Sequence, residues 1–159
     1  MRKVFYLLML TLVLFSCSDN KDEEPSTKDF KTVKVVITRE SNDLSKFWLN
    51  TVFTLKNDKE NHLFNEKDFD LILPDETNLL LYKKHSVLTN RYEAEIKLRK
   101  VDIQVLENPL ILDEAKVEDE SKMTFDTKIE IFVNGKLKKS QSFTFDYTTA
   151  NLNIVQYSE

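Results

Sequence analysis

Glycine is almost missing from this chain: one residue in 159, Gly135. Phosphate-cradling loops need several glycines so that backbone N–H groups can approach the ligand. Dinucleotide-binding, P-loop and nucleophile-elbow patterns cannot be built from one, which removes most nucleotide-binding enzymes and the usual serine hydrolases. Cysteine is as scarce, with Cys17 alone, so no internal disulfide can form. The two histidines, His62 and His85, show neither a His-x-His nor a His-Glu-x-x-His spacing, and there is no second thiol to complete a zinc site. Basic charge is outnumbered, 23 Lys and Arg against 27 Asp and Glu, for a net charge of −4. Such a chain is a poor candidate for nucleic acid, where basic surface supplies most of the affinity, or for electrostatic docking on anionic lipid. The one apolar run, residues 4–15 (VFYLLMLTLVLF), falls short of the roughly 20 residues that span a bilayer core.

That run has flanks. Arg2 and Lys3 precede it, and Leu14, Phe15, Ser16 and Cys17 close it. The arrangement resembles a bacterial lipoprotein signal peptide, of the kind carried by small surface-exposed Bacteroidota-type lipoproteins with a β-sandwich domain. The resemblance implies that residues 1–16 are cleaved off and that the Cys17 thiol receives a diacylglyceryl group; with the phosphate loops and zinc spacings missing, no cofactor is expected. A single acyl chain gives only marginal attachment, so stable anchoring needs at least two. Residues 17–29 then form a lipidated cysteine with an acidic, flexible tether that contains no apolar residue after Cys17. Its twelve residues after the cysteine reach at most about 40 Å. In the family, acidic residues near the cysteine mark surface-exposed members, a part that falls here to Asp22, Glu23 and Glu24; Ser18 in place of Asp argues against retention in an inner membrane. Loss of residues 1–16 removes Arg2 and Lys3 and no acid, taking the net charge from −4 to −6.

Residues 30–159 are one domain's worth of chain, and their dominant pattern is period two, the mark of half-buried strands. Residues 31–38 place Val33, Val35 and Ile37 on one face. Residues 48–55 place Thr51, Phe53 and Leu55 on one face, with Trp48 and Val52 on the other. Residues 70–73 form a short run stopped by Pro74, and 79–88 an extended segment with a possible break at Lys83 and Lys84. Along 92–106, Tyr92, Ala94, Ile96 and Leu98 share one parity and Val101, Ile103 and Val105 the other. That switch predicts a bulge or bend near Arg99 and Lys100, a place where a strand could pass from one sheet to the other. The rival is an amphipathic helix, since Ala94, Leu98, Val101 and Val105 also fall at helical spacing, but the β-branched content and the alternating charges of Glu93, Glu95, Lys97 and Arg99 favour the strand. Asn134 and Gly135 suit the positive φ of a hairpin turn. Pairing of apolar residues favours a three-residue loop, with Ile131 facing Leu137, Phe125 facing Phe143 and Met123 facing Phe145, or a two-residue turn with a bulge just after it. Residues 151–157 supply a last strand. The expected fold is an all-β, antiparallel two-sheet sandwich of the immunoglobulin-like class, with seven or eight strands.

Catalytic patterns are thin. His62 sits in a polar stretch that reads as solvated. Asp68 and Asp70 resemble a fragment of a calcium loop without its remaining ligands, and residues 114–120 read as an acidic, solvated loop. Among the aromatics Trp48, Tyr82, Tyr92, Phe132, Tyr147 and Tyr157, Phe132 stands out. Its neighbours Ile131 and Val133 share the opposite face, so Phe132 points away from them and becomes, with Trp48, the candidate contact for a sugar or a partner protein. These features predict a non-enzymatic, outer-membrane lipid-anchored module that binds a glycan or an envelope protein. The alternatives are an assembly subunit or chaperone that pairs strand edges, and, last, a small hydrolase with an unrecognised site.

Overall fold

The computed structural model describes residues 29–41, 44–85, 88–111, 124–146 and 152–159. Residues 1–28, on which the expected leader, Cys17 and most of the expected tether fall, lie outside the described residues, as do the acidic residues 114–120, Met123 and Tyr147. Among the described residues there are ten strands: β1 (Lys31–Ser41), β2 (Phe47–Lys56), β3 (His62–Leu63), β4 (Leu71–Pro74), β5 (Asn78–His85), β6 (Arg91–Leu98), β7 (Asp102–Ile111), β8 (Thr124–Val133), β9 (Lys136–Asp146) and β10 (Asn153–Ser158). The first sheet has the order β3-β6-β1-β8-β9 and the second β10-β7-β2-β5-β4, with every pairing antiparallel. The two sheets share one core, so the fold is the all-β sandwich that the alternation predicts. It has ten strands in place of seven or eight. β3 is too short to alternate, and the 92–106 run is two strands.

The parity switch is indeed a corner: β6 lies in the first sheet and β7 in the second. Ala94, Ile96 and Leu98 enter the core from one side, and Val101, Ile103 and Val105 from the other. Asn61 pins the bend, its carbonyl accepting from Arg99 N–H at 3.0 Å and its Oδ1 from Lys100 N–H at 2.7 Å. β5 runs through Lys83 and Lys84 without a break.

At the hairpin, Asn134 and Gly135 take φ of 49° and 77° in a two-residue turn that sets Val133 opposite Lys136. A register shift between Ile131 and Phe132 follows. The turn is therefore the bulged two-residue form, and the three-residue pairs are corrected. Ile131 faces Lys139, Phe132 faces Leu137, and Phe125 faces Phe145. Phe125 and Ile131 each find a partner two residues further along β9, whereas Leu137, on the turn side of the bulge, moves from the inner face to the outer one, opposite Phe132. A Cβ at Gly135 would meet nothing within 4 Å, so a substitution there strains only the backbone. Gly135→Ala is expected to destabilise by about 1–2 kcal/mol, read as a lower urea midpoint at unchanged m-value.

Inward residues form a large cluster that includes Val33, Ile37, Phe53, Leu81, Ile96 and Val155. A smaller one comprises Phe47, Leu49, Phe125 and Phe145.

Candidate functional site

A layer of buried polar side chains lies between the two apolar clusters. Arg39 follows Ile37 along β1, Thr51 lies between Leu49 and Phe53, and His85 ends β5. Glu107 follows Val105, Thr127 lies between Phe125 and Ile129, and Asn153 opens β10. Register sets them in rows, with Thr51 facing Glu107, Glu107 facing Asn153, and Arg39 facing Thr127. The Arg39 guanidinium reaches from the first sheet to the Glu107 carboxylate of the second in two bonds, Nη2 to Oε1 at 2.6 Å and Nε to Oε2 at 3.2 Å. Two parallel bonds to one carboxylate make the strong, oriented form of this ion pair. Thr51 gives its single hydroxyl proton to Glu107 Oε1 at 2.6 Å. Its oxygen, 2.9 Å from His85 Nε2, therefore accepts from that nitrogen. Arg39 Nη1 donates to the Thr89 carbonyl at 3.3 Å, and the Tyr92 ring lies 5.7 Å from the guanidinium carbon and 4.8 Å edge-on to His85.

Burial, and then the Arg39 and Lys83 cations, push His85 down to about 4, so the imidazole is neutral. Burial pushes the Tyr92 phenol up to about 12. A neutral base beside a hydroxyl suggests chemistry, yet Arg39, Thr51 and Glu107 are 0% exposed. A substrate reaches them only by opening the sandwich. The layer acts as a tie between the sheets. Thr127 Oγ1 and Asn153 Nδ2, buried in the same rows, have no hydrogen-bond partner among the described residues. The sequence carried a signal for this layer: Arg39 continues the parity of Val33, Val35 and Ile37, and Glu107 that of Val101, Ile103 and Val105. The expected strands stop at residues 38 and 106, one short of each.

The two aromatic candidates do not meet. Phe132 stands on the outer face of the first sheet, pointing away from Ile131 and Val133 as predicted. It is half-buried beside Lys34, Val36 and Arg91 in a cavity of about 350 Å³. Trp48 stands on the outer face of the second sheet opposite Leu110, with the Lys84 ammonium 5.2 Å from its ring centre. His62 is half-buried and 5.4 Å from Phe64, which corrects its solvated reading; pairing of β3 with β6 draws it over the corner. Asp68 ends a 3-10 turn and accepts from Asn65 Nδ2, while Asp70 accepts from the Lys84 N–H at 2.6 Å. The two carboxylates are thus not on one strand face.

The outer faces of the two sheets differ sharply in chemistry. Across the first run ion pairs: Lys34 with Glu93 at 2.6 Å, Arg91 with Glu93 at 2.7 Å, and Lys128 with Glu130 at 2.7 Å. Across the second runs an apolar row with one residue from each of its five strands. Leu71 faces Tyr82, Tyr82 faces Val52, Val52 faces Leu106, and Leu106 faces Ile154. Leu73 and Leu80 pair on one side of it, and Trp48 and Leu110 on the other. Of the seven exposed large hydrophobics among the described residues, Leu71, Leu73, Leu110 and Ile154 stand on this face. Only Lys56, Lys84 and Asp102 among its outward strand residues carry charge. No protein-family model matches this chain, and neither does a curated protein or a solved structure.

Proposed function

We propose that this chain is an outer-membrane lipoprotein, anchored through Cys17 and facing the cell surface, that acts as a non-enzymatic binding module for an envelope protein. The observation that carries the reading is the apolar row Leu71-Tyr82-Val52-Leu106-Ile154 on a nearly uncharged sheet face. Contiguous exposed apolar surface is the mark of an interaction site, while singly scattered apolar residues are not. A protein partner suits it better than a glycan, because the Lys84 ammonium already occupies one side of the Trp48 ring on which a sugar would stack.

The test compares protease shaving of intact cells with membrane fractionation of Cys17→Ala. The native domain is expected to be cleaved from outside, and the variant to leave the membrane fraction. Protection until the outer membrane is breached would move the domain to the periplasm, and membrane retention of the variant would remove the anchor. On the same cells, Leu71→Asp with Ile154→Asp is expected to lose crosslinks to envelope proteins that Thr38→Asp, on the other face, retains.

A second reading, assembly by strand addition, has one observation behind it. β3 pairs with β6 only at Leu98 and Lys97. The rest of that β6 edge runs beside a cavity of about 520 Å³ lined by Lys67, Asp68, Lys83 and Tyr92 to Glu95. Crosslinks that map to Glu93 and Glu95, and survive the Leu71→Asp and Ile154→Asp changes, would favour it.

A further inference from the structure

The occupant of the apolar face has a chemistry that the face itself constrains. It spans all five strands of the second sheet and carries no ion pair among the bridges formed by the described residues. We infer that two copies of this chain pack their second sheets face to face about a twofold axis parallel to β2, burying the row Leu71-Tyr82-Val52-Leu106-Ile154 against itself. The inference rests on the docking reading above and names its partner.

Three features support a second copy. The first is symmetry. β2 is the middle strand of five, so a twofold axis along it sets Val52 on Val52 once, and Tyr82 on Leu106 and Leu71 on Ile154 twice each. That is the self-complementary pattern an isologous interface requires. Trp48, also on β2, meets its own copy on the axis.

The second is area. The strands contribute 4, 8, 10, 10 and 6 residues. At about 3.3 Å along and 4.8 Å across per residue, the face covers about 600 Å². Two such faces bury about 1,200 Å², the lower bound of a stable interface. Stacked in this way the two β2 strands run parallel, within the spread of about 30° over which aligned sheets pack.

The third is charge. The chain has a net charge of −4, so two copies repel over most of their surface. On this face the outward charges are Lys56, Lys84 and Asp102; the axis sets Lys84 against Asn108 of the second copy, and Lys56, the last residue of β2, against its own copy at the rim of the contact. Two acidic copies approach here without like-charge conflict at the centre of the contact, and the charged outer face of the first sheet offers no equivalent.

Sedimentation velocity of the full chain in a non-ionic detergent, as Cys17→Ser, tests the proposal. The expected result is twice the chain mass, falling to the single-chain mass in Leu71→Asp with Ile154→Asp. These positions are 50% and 38% exposed, so the substitutions spare the core. Because any outer-face change can weaken folding, a second measurement uses the same Cys17→Ser background. Val52→Cys is expected to couple to itself through a short bis-maleimide linker, and Thr38→Cys to stay uncoupled. A chain of single mass whose Val52→Cys form does not couple overturns the second copy. If Leu71→Asp with Ile154→Asp still loses the envelope crosslinks in cells, the docking reading stands with another partner; if the crosslinks persist, both fall.

Discussion

Glu107→Ala is expected to destabilise the domain by about 3–5 kcal/mol, because it leaves the Arg39 guanidinium buried without its counter-charge. Both side chains are 0% exposed, and the pair is bidentate across the sheets. The guanidinium cannot recover water without parting β1 from β7. Its remaining neighbours, the Thr89 carbonyl and the Thr51 hydroxyl at 3.3 and 3.4 Å, are weak substitutes for a carboxylate. Against a total stability of about 5–15 kcal/mol for a domain of this size, the loss is a large fraction. Replacing both partners with apolar residues of similar volume, Arg39→Met with Glu107→Leu, is expected to recover most of it, since burying the pair already carries a desolvation penalty. Urea denaturation of Arg39→Met, Glu107→Leu and the double variant closes the cycle. A Glu107→Ala loss below about 1 kcal/mol would show that water reaches the layer and that the tie contributes little.

The ion pair also bears on register. Sheets packed only through aliphatic side chains tolerate slippage as long as apolar residues stay inside. Arg39, Thr51 and Glu107 break that tolerance. Moving β1 by one residue turns Arg39 out to solvent and strands Glu107. Moving it by two keeps Arg39 inside but sets it against Phe125 or Ile129.

The contrast between what the sequence showed and what it hid follows from range. Alternation is local, so the sandwich, the inward set of β2 and the corner at Arg99 and Lys100 are all legible in residues a few positions apart. The hairpin is nearly so: Asn134 and Gly135 announce the turn, but whether the extra residue falls inside the loop or just after it depends on how β8 and β9 coil together. The polar layer is non-local. Arg39 and Glu107 are 68 positions apart, and nothing in either segment alone says that the other neutralises it. The apolar outer face is hidden for a related reason. Val52, Tyr82 and Leu106 each look like isolated outward residues on their own strands, and become a row only when sheet order and register are known. Phe132 drew attention in the sequence because its own strand is so regular. The face with the greater apolar content is assembled from five strands, none of which stands out.

The second large effect concerns acid. His85 is neutral in the fold and pushed down to about 4 from its ordinary 6.5, chiefly by burial. Between those two values the unfolded chain holds a proton on residue 85 that the folded chain does not. Stability therefore rises with pH across the window, at up to about 1.4 kcal/mol per pH unit. The full stability is present above pH 6.5, declines as pH falls through it, and by about pH 4 has dropped by about 3 kcal/mol. Below that both states are protonated and this group adds no further slope. Carboxylates held low by hydrogen bonds or ion pairs, such as Asp70 and Glu93, act in the same direction but lower on the scale. Their stabilisation is lost only as pH falls below the ordinary carboxylate range, so the interval from pH 6.5 to 5 belongs mainly to histidine. His85→Gln keeps an N–H for the Thr51 oxygen and removes the titration. Urea midpoints of the native chain and the variant, taken every half unit from pH 7.5 to 4, are expected to diverge in slope only below pH 6.5, the native chain falling faster. Parallel curves would mean that His85 takes up its proton inside the fold, and that the polar layer can accommodate a second cation beside Arg39.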